Sequence, residues 1–284
     1  VKQENMNVES EISTEHAMAP QIRVAAGLDV AAGLQRSGHP GEAAAELEKA
    51  LATARATPYE IEFQTRIRLS MTLADIYLSI DQIQTARAML TAEVAFAKKI
   101  SELMQATGTP GQRRSATSGY LQVRDRLTQL ELIGQTAPDF SITSWIKGEP
   151  ATLAAQRGQV VLLEFWATWC KPCREMFPKL KWLYEQQSAR GLAIIAITRH
   201  YMAYGGPEES KTEELALMRA MLEECGVNFP VGVAEDERLQ SIYGANGLPT
   251  VVLIDRQGVA RYAGPGGEDP SFTEMLERCL AQSA

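Results

Sequence analysis

At 284 residues the chain is long enough for two folding units at ~150 residues each. Its 45% hydrophobic and 22% charged content excludes wholesale disorder, and its net charge of −7 argues against general affinity for nucleic acid, which needs clustered Lys and Arg. No apolar run approaches the ~18 residues of a membrane-spanning helix, and four cysteines are too few for a disulfide-stapled scaffold.

The chain opens on Val1 rather than methionine, which reads as a processed or trimmed form; a membrane tether ahead of it would have been lost. Residues 1–20 are polar and acidic without sustained periodicity and read as a mobile tail in which His16 is solvated. Residues 21–132 read as an all-α domain. Ile61, Leu69, Leu73, Ile76 and Ile80 recur at helical spacing, as do Ile83, Leu90, Val94, Ala97 and Ile100, and Pro20, Pro40, Pro58 and Pro110 fall between these stretches.

Leu34–Leu51 aligns with Tyr77–Val94 at an offset of 43 residues, placing Ala43 on Ala86 and Leu47 on Leu90. The pattern resembles a tetratricopeptide-type helical hairpin with longer helices than the usual ~34-residue repeat. Such units bury their apolar faces only against neighbours, so they should stack, leaving a concave face for a protein partner. A helix from about Ser115 to Leu132, with Tyr120, Val123, Leu127 and Leu130 on one side, closes the stack. Thr107–Gly119 reads as largely loop, with Arg113 and Arg114 solvated.

Beyond Ile133 the texture changes, and all four tryptophans lie there. The pattern predicts a short strand pair near Phe140–Thr152, a buried strand Val160–Ala167, a helix from Cys170 to about Ala189, and a strand Ala193–Thr198. A helix Glu213–Glu224, a strand near Val231 and a short helix near Leu239 follow. Strands Thr250–Asp255 and Val259–Tyr262 and a helix from Ser271 complete residues 133–284. Strands alternating with helices imply a sheet with a parallel core. Gly264-Pro265-Gly266-Gly267 follows a strand without opening a dinucleotide-binding helix, and reads as a turn.

The segment Val160–Cys173 reads VVLLEFWATWCKPC. Cys170 at a helix start faces unpaired backbone N–H groups and the positive end of the helix dipole, both of which favour thiolate, the reactive species. Cys173, three residues on, reaches the same sulfur and can close a Cys170–Cys173 disulfide. Cys170 is then the exposed, attacking sulfur and Cys173 the resolving one, with Lys171 adding positive charge. Half of a zinc site is the competing reading; it would need Cys225, Cys279 or His200, which stand alone. A purely structural disulfide is another. Glu164 interrupts a strand covered on both faces, so its carboxyl should be raised in pKa and could exchange the Cys173 proton as a general base. Pro249, in Gly247-Leu248-Pro249-Thr250, sits where a strand begins.

These residues carry a resemblance. Gly134-Gln135-Thr136-Ala137-Pro138-Asp139-Phe140, Phe165-Trp166-Ala167-Thr168-Trp169-Cys170 and Gly247-Leu248-Pro249-Thr250 resemble the thioredoxin-like family, most closely the extracytoplasmic thiol–disulfide oxidoreductases of the TlpA/ResA type. The resemblance implies an α/β fold with a central mixed sheet flanked by helices. Within it Pro249 would be a cis-proline facing the dithiol, Glu164 a buried acid, and Pro178 a helix-kinking proline. Trp169, Lys171, Pro172 and Leu248 would contact substrate.

It further implies protein thiol or disulfide substrates, an electron-donating redox partner, no metal or organic cofactor, and a place outside the cytoplasm. Met176 stands where many such proteins carry Glu, with Glu175 beside it, which weakens an apocytochrome c substrate. The loop Arg199–Gly206 is long and aromatic and could shape a substrate groove, with His200 a lesser candidate. Two alternatives stand beside this reading: an assembly scaffold with a regulatory dithiol, and a thiol-dependent peroxidase. Leu163 and Ala167, where a peroxidatic signature has Pro and Thr, count against the second. Right-handed crossovers are expected to place the Cys225 helix on the opposite sheet face from Cys279, leaving both as free thiols.

Overall fold

The computed structural model describes residues 19–140, 142, 144–202, 207–266 and 269–282; His16, nearly all of the acidic tail, part of the Arg199–Gly206 loop and Gly267 lie outside them. The chain divides into two compact units, Val1–Arg124 and Asp125–Ala284. In chain order the helices are α1 Pro20–Arg36, α2 Pro40–Ala56, α3 Phe63–Ser79, α4 Ile83–Thr107 and α5 Pro110–Leu132. There follow β1 Ser144–Lys147, β2 Val160–Phe165, α6 Lys171–Gln187, β3 Leu192–Arg199 and α7 Glu208–Glu224. The chain ends through β4 Val231–Ala234, α8 Arg238–Ile242, β5 Thr250–Ile254, β6 Ala260–Gly264 and α9 Pro270–Ala281. The division between units falls inside α5, not at the 132/133 boundary where the residue pattern changes. Among the described residues no helix is long and apolar enough to cross a membrane.

The second unit is built on a six-stranded sheet in the order β1-β4-β3-β2-β5-β6. β2, β3 and β4 run parallel, while β1, β5 and β6 are antiparallel to their neighbours. This is the mixed sheet with a parallel core that the resemblance implied. Every residue of β2 is buried, as expected of a central strand covered on both faces. Its side chains alternate: Val160 and Leu162 enter one core with residues of α6, α7 and α9, whereas Val161, Leu163 and Phe165 enter another with Phe140, Tyr243 and Leu132.

Two expectations are corrected here. Near Phe140–Thr152 the described residues form one strand, β1, which pairs with β4 rather than with a local partner. And α7, which ends at Cys225, lies on the same sheet face as α6 and α9: Met218, Met221 and Leu222 share a core with Phe177, Leu276 and Cys279. The steps β2 to β3 and β3 to β4 move in one direction across the sheet, so two right-handed crossovers put both helices on one side. From β2 onward the direction reverses only at the step from β4 to β5. Cys225 and Cys279 are nevertheless free thiols.

In the first unit, α1–α2 and α3–α4 form two helical pairs whose starts, Pro20 and Phe63, then Pro40 and Ile83, are 43 residues apart. Ala43 and Ala86 are fully buried, as are Leu47 and Leu90, so the sequence repeat is also a repeat of packing. The stretch from Pro110 to Gly119, expected as loop, is helix. Thr109 and Gln112 explain it. Thr109 N–H donates to Gln112 Oε1 at 2.9 Å and Gln112 N–H donates to Thr109 Oγ1 at 3.3 Å, a capping box with Pro110 at the first helical position. Gly119 is where α5 meets α3: an added Cβ would lie 2.5 Å from Phe63 Cε1.

The interior of this unit also holds charge. Arg66 on α3 donates from Nε and Nη2 to Glu93 on α4 at 2.7 and 3.1 Å, Arg55 on α2 donates to the same carboxylate at 2.9 Å, and the Arg66 guanidinium stacks 3.5 Å over the Phe96 ring. One carboxylate thus ties three helices. Removing a single partner strands a buried cation, so Glu93→Ala should cost about 3–5 kcal/mol, read by urea unfolding of the full chain. A cost below about 1 kcal/mol would show that Arg66 finds water instead.

Candidate active site

β2 leads straight into the site. Trp166, just past its end, donates its N–H to Ile197 O at 3.1 Å and accepts from Thr198 Oγ1 at 2.8 Å, pinning the exit of β2 to β3. Its indole is fully buried and meets Phe177 of α6 edge-on, with centroids 5.4 Å apart. The chain then turns, Cys170 N–H donating to Ala167 O, and α6 begins. Cys170 occupies the N-cap, where its Sγ accepts the Cys173 N–H at 3.3 Å. The two sulfurs are bonded, with Cα atoms 5.4 Å apart. Cys170 is the more accessible of the two but only 3% exposed, against 0% for Cys173, which is less than the sequence reading expected of an attacking group. Its neighbours Trp169, Lys171 and Pro172 are all exposed.

Glu164 lies on the same face of β2 as Val160 and Leu162, the face covered by α6. Its register partners are Ala196 on β3 and Val251 on β5, so it is flanked by apolar side chains. It is fully buried and neither carboxyl oxygen has a hydrogen-bond partner. Burial alone pushes its pKa well above the usual carboxylate range. The buried indole Nε1 of Trp166, two residues along the same face, also lacks a partner.

A loop after β3 completes one wall. Tyr201 meets Trp169 edge-on with centroids 5.6 Å apart, and the Arg199 guanidinium lies 4.2 Å over the Tyr201 ring. Arg199 Nε donates to Gln240 Oε1 at 2.7 Å, and Gln240 Nε2 donates to the Tyr201 hydroxyl. Glu214 of α7, nearly fully buried, accepts the N–H groups of Tyr201 and Met202 at 2.9 and 3.1 Å. His200 Nδ1 sits 3.2 Å from its other oxygen, so His200 is engaged in holding the loop. Among the described residues no three His, Cys, Asp or Glu side chains cluster as metal ligands. Lys171 is drawn to Glu175 at 3.6 Å, one turn along the exposed face of α6, which leaves the helix terminus as the main positive influence on Cys170.

The Leu248–Pro249 peptide is cis, and Thr250 directly after it pairs with Phe165 of β2. The loop therefore runs beside the segment leading to the dithiol. Leu248 packs against both cores, the one that contains Cys170 and Cys173 and the one that contains Phe165 and Tyr243. Pro178 lies inside α6, as the resemblance implied.

Residues 133–263 match the AhpC/TSA family. The thioredoxin-like protein YneN of Bacillus subtilis is 33% identical over 126 residues, which cover 44% of this chain and 67% of that protein. The chain belongs to the thioredoxin-like family. Within it, a thiol-disulfide oxidoreductase, ResA of Geobacillus kaustophilus, is 36% identical over 126 residues, 44% of this chain, and the chain spans 65% of that protein's length. Among solved structures, a thiol-disulfide isomerase from Corynebacterium glutamicum aligns over 52% of this chain and 98% of its own at 20% identity, with a TM-score of 0.44.

Of the sequence-derived residues, Cys170, Cys173, Trp169, Lys171 and Pro172 lie at or beside the start of α6, Glu164 lies on β2, which leads there, and Leu248 and Pro249 directly precede β5, the neighbour of β2. Sequence reasoning missed Tyr201 as the partner of Trp169 and Glu214 as the anchor of its loop. The aromatic character of Arg199–Gly206 was the available signal; nothing in the pattern of α7 marks Glu214 among its other glutamates.

Because the folded chain holds the Glu164 proton at pH values where the unfolded chain has released it, stability contributed by this group falls as pH rises above the ordinary glutamate range toward the raised value. Glu164→Gln cannot ionise. It should gain thermal stability relative to wild type as pH is raised from about 4 to 8, in unfolding scans of the oxidised protein. Parallel pH profiles for the two proteins would refute a neutral buried acid.

Proposed function

We propose that this chain is a thiol–disulfide oxidoreductase acting on protein disulfides. The observation that carries the reading is the bonded Cys170–Cys173 pair at the start of α6, on the sheet face that also buries an unpartnered carboxyl. In the reduced form the Cys170 thiolate attacks one sulfur of a substrate disulfide, breaking that bond and forming a mixed disulfide; the departing substrate sulfur takes up the Glu164 proton through water. The Glu164 carboxylate so formed takes the Cys173 proton, and Cys173 attacks the Cys170 sulfur. That step releases the second substrate thiol and leaves Cys170–Cys173 oxidised by two electrons. A redox partner with a dithiol of its own restores the reduced pair. A carboxyl whose pKa is raised by burial is a better match for a thiol proton than an ordinary glutamate.

Trp169 and Tyr201 form an apolar wall beside the dithiol, with Trp169 59% exposed, and the cis Leu248–Pro249 turn is taken to bound the site from the β5 side. We assign substrate contact to Trp169, Lys171, Pro172 and Leu248. The helical unit is proposed as a docking surface for a protein partner, on the strength of its repeated hairpins and of the exposed apolar side chains Ile22, Val30 and Tyr59. An extracytoplasmic location rests on the resemblance to ResA-type proteins.

The test is disulfide reduction. With dithiothreitol as electron source, the wild-type chain should precipitate insulin by reducing its interchain disulfides, and Cys170→Ser should abolish this. Cys173→Ala should instead accumulate mixed disulfides on Cys170, visible by mass spectrometry. Peroxide consumption that outpaces insulin reduction would favour a peroxidase, and a cellular phenotype surviving Cys170→Ser would favour a scaffold.

A further inference from the structure

The last two turns of α5, from Asp125 onward, belong to the second unit and precede the residues matched by the AhpC/TSA family, 133–263. They carry buried polar groups: Asp125 is 5% exposed and Gln129 7%. Both grip the segment entering the cis-proline turn. Asp125 Oδ2 accepts the Asn246 backbone N–H at 3.0 Å and its Oδ1 accepts Asn246 Nδ2, also at 3.0 Å. Gln129 Nε2 donates to Gly244 O at 2.7 Å. Arg126 Nη1 braces the arrangement, donating to Gln129 Oε1 at 3.1 Å and to Ala263 O at 3.2 Å.

Gly244 fits this grip. Its φ of +62° suits glycine, and a Cβ there would lie 2.4 Å from the Asp125 carbonyl oxygen, so helix and loop touch backbone to backbone. Only Gly247 and Leu248 separate Asn246 from Pro249. On the far side Thr250 Oγ1 donates to Gly247 O at 2.6 Å. The turn is thus clamped at one end by its own strand and at the other by α5.

We propose that Asp125 and Gln129 are positioning residues: they fix the Leu248–Pro249 turn against the dithiol and thereby set how a protein disulfide seats there. Neither touches the reacting sulfurs. The inference rests on the oxidoreductase reading and adds a control element outside the matched domain. Loosening the turn should impair seating of an extended protein substrate while sparing a small disulfide that needs only the sulfur.

Asp125→Ala in the full chain should raise KM for insulin by about tenfold with kcat within about twofold of wild type, and leave reduction of 5,5′-dithiobis(2-nitrobenzoate) within about twofold. Asp125→Asn should restore the insulin KM, because an Asn oxygen still accepts the Asn246 N–H and its amide can pair with a turned Asn246 side chain. Loss of fold stability alone would not produce this substrate split or its rescue. Should Asp125→Ala not fold, Asn246→Ala, which removes one arm from the loop side, is read in the same assays with the same expected split. An active wild type with an unchanged KM in the readable variant overturns the inference alone, as does equal loss on both substrates. A wild type unable to reduce insulin overturns the oxidoreductase reading and the inference together.

Discussion

A carboxyl without a hydrogen-bond partner, in the most buried strand of the sheet, is the constraint around which the second unit is arranged. Glu164 has Ala196 and Val251 beside it and α6 above it. Leaving such a group unsatisfied costs about 1–3 kcal/mol, which a sequence selected for stability alone would avoid with a leucine. The cost is bearable because the surrounding core is dense. Trp166, Phe165 and Phe177 are fully buried, and each such side chain contributes about 1.5–3 kcal/mol through removal from water. The acid is held by shape rather than by bonds, and that burial is what raises its pKa.

The dithiol owes its placement to short local devices. The exit of β2 is tied to β3 by Trp166 and Thr198, and the Trp166 ring abuts Phe177, so the first turn of α6 cannot drift from the sheet. Pro172 in the first turn suits a position where no backbone donor is needed. The opposing wall is fixed differently. Glu214 gathers two backbone N–H groups and His200, while Gln240 and Arg199 orient Tyr201 against Trp169. Two of the surfaces beside the reactive sulfur are therefore preorganised by polar anchors from elsewhere in the unit.

How much of this was legible follows from how local each feature is. The dithiol, Glu164 and Pro249 announce themselves within a few residues of chain, since a strand running into C-x-x-C and a charged residue inside an apolar run are patterns of one segment. The face occupied by α7 was misjudged because it depends on where the strand order reverses, a property of the whole sheet. Most of Thr107–Gly119, expected as loop, is helix from Pro110 because a reciprocal Thr109–Gln112 cap outweighs its glycines and serines, and that signal is present in the sequence. Asp125, Gln129 and Glu214 act across 115 to 121 residues or from within a run of similar residues, and no local pattern separates them from solvated neighbours.

Under the proposed function, the raised pKa of Glu164 and the attack by Cys170 belong to one electrostatic arrangement. A thiolate at the start of α6 is stabilised by the helix terminus, but an ionised carboxylate on the same face would repel it in a medium that screens poorly. Lys171 cannot offset such repulsion fully, since it shares its charge with Glu175. Keeping Glu164 neutral by desolvation removes the repulsion while the thiolate is the attacking species. Once Cys170 is tied up in a mixed disulfide its charge is gone and the penalty on ionising Glu164 falls, so the carboxyl, having given up its own proton, can accept the one that Cys173 must lose. In the proposed reaction, attack by Cys170 before deprotonation of Cys173 is the order that this charge balance favours.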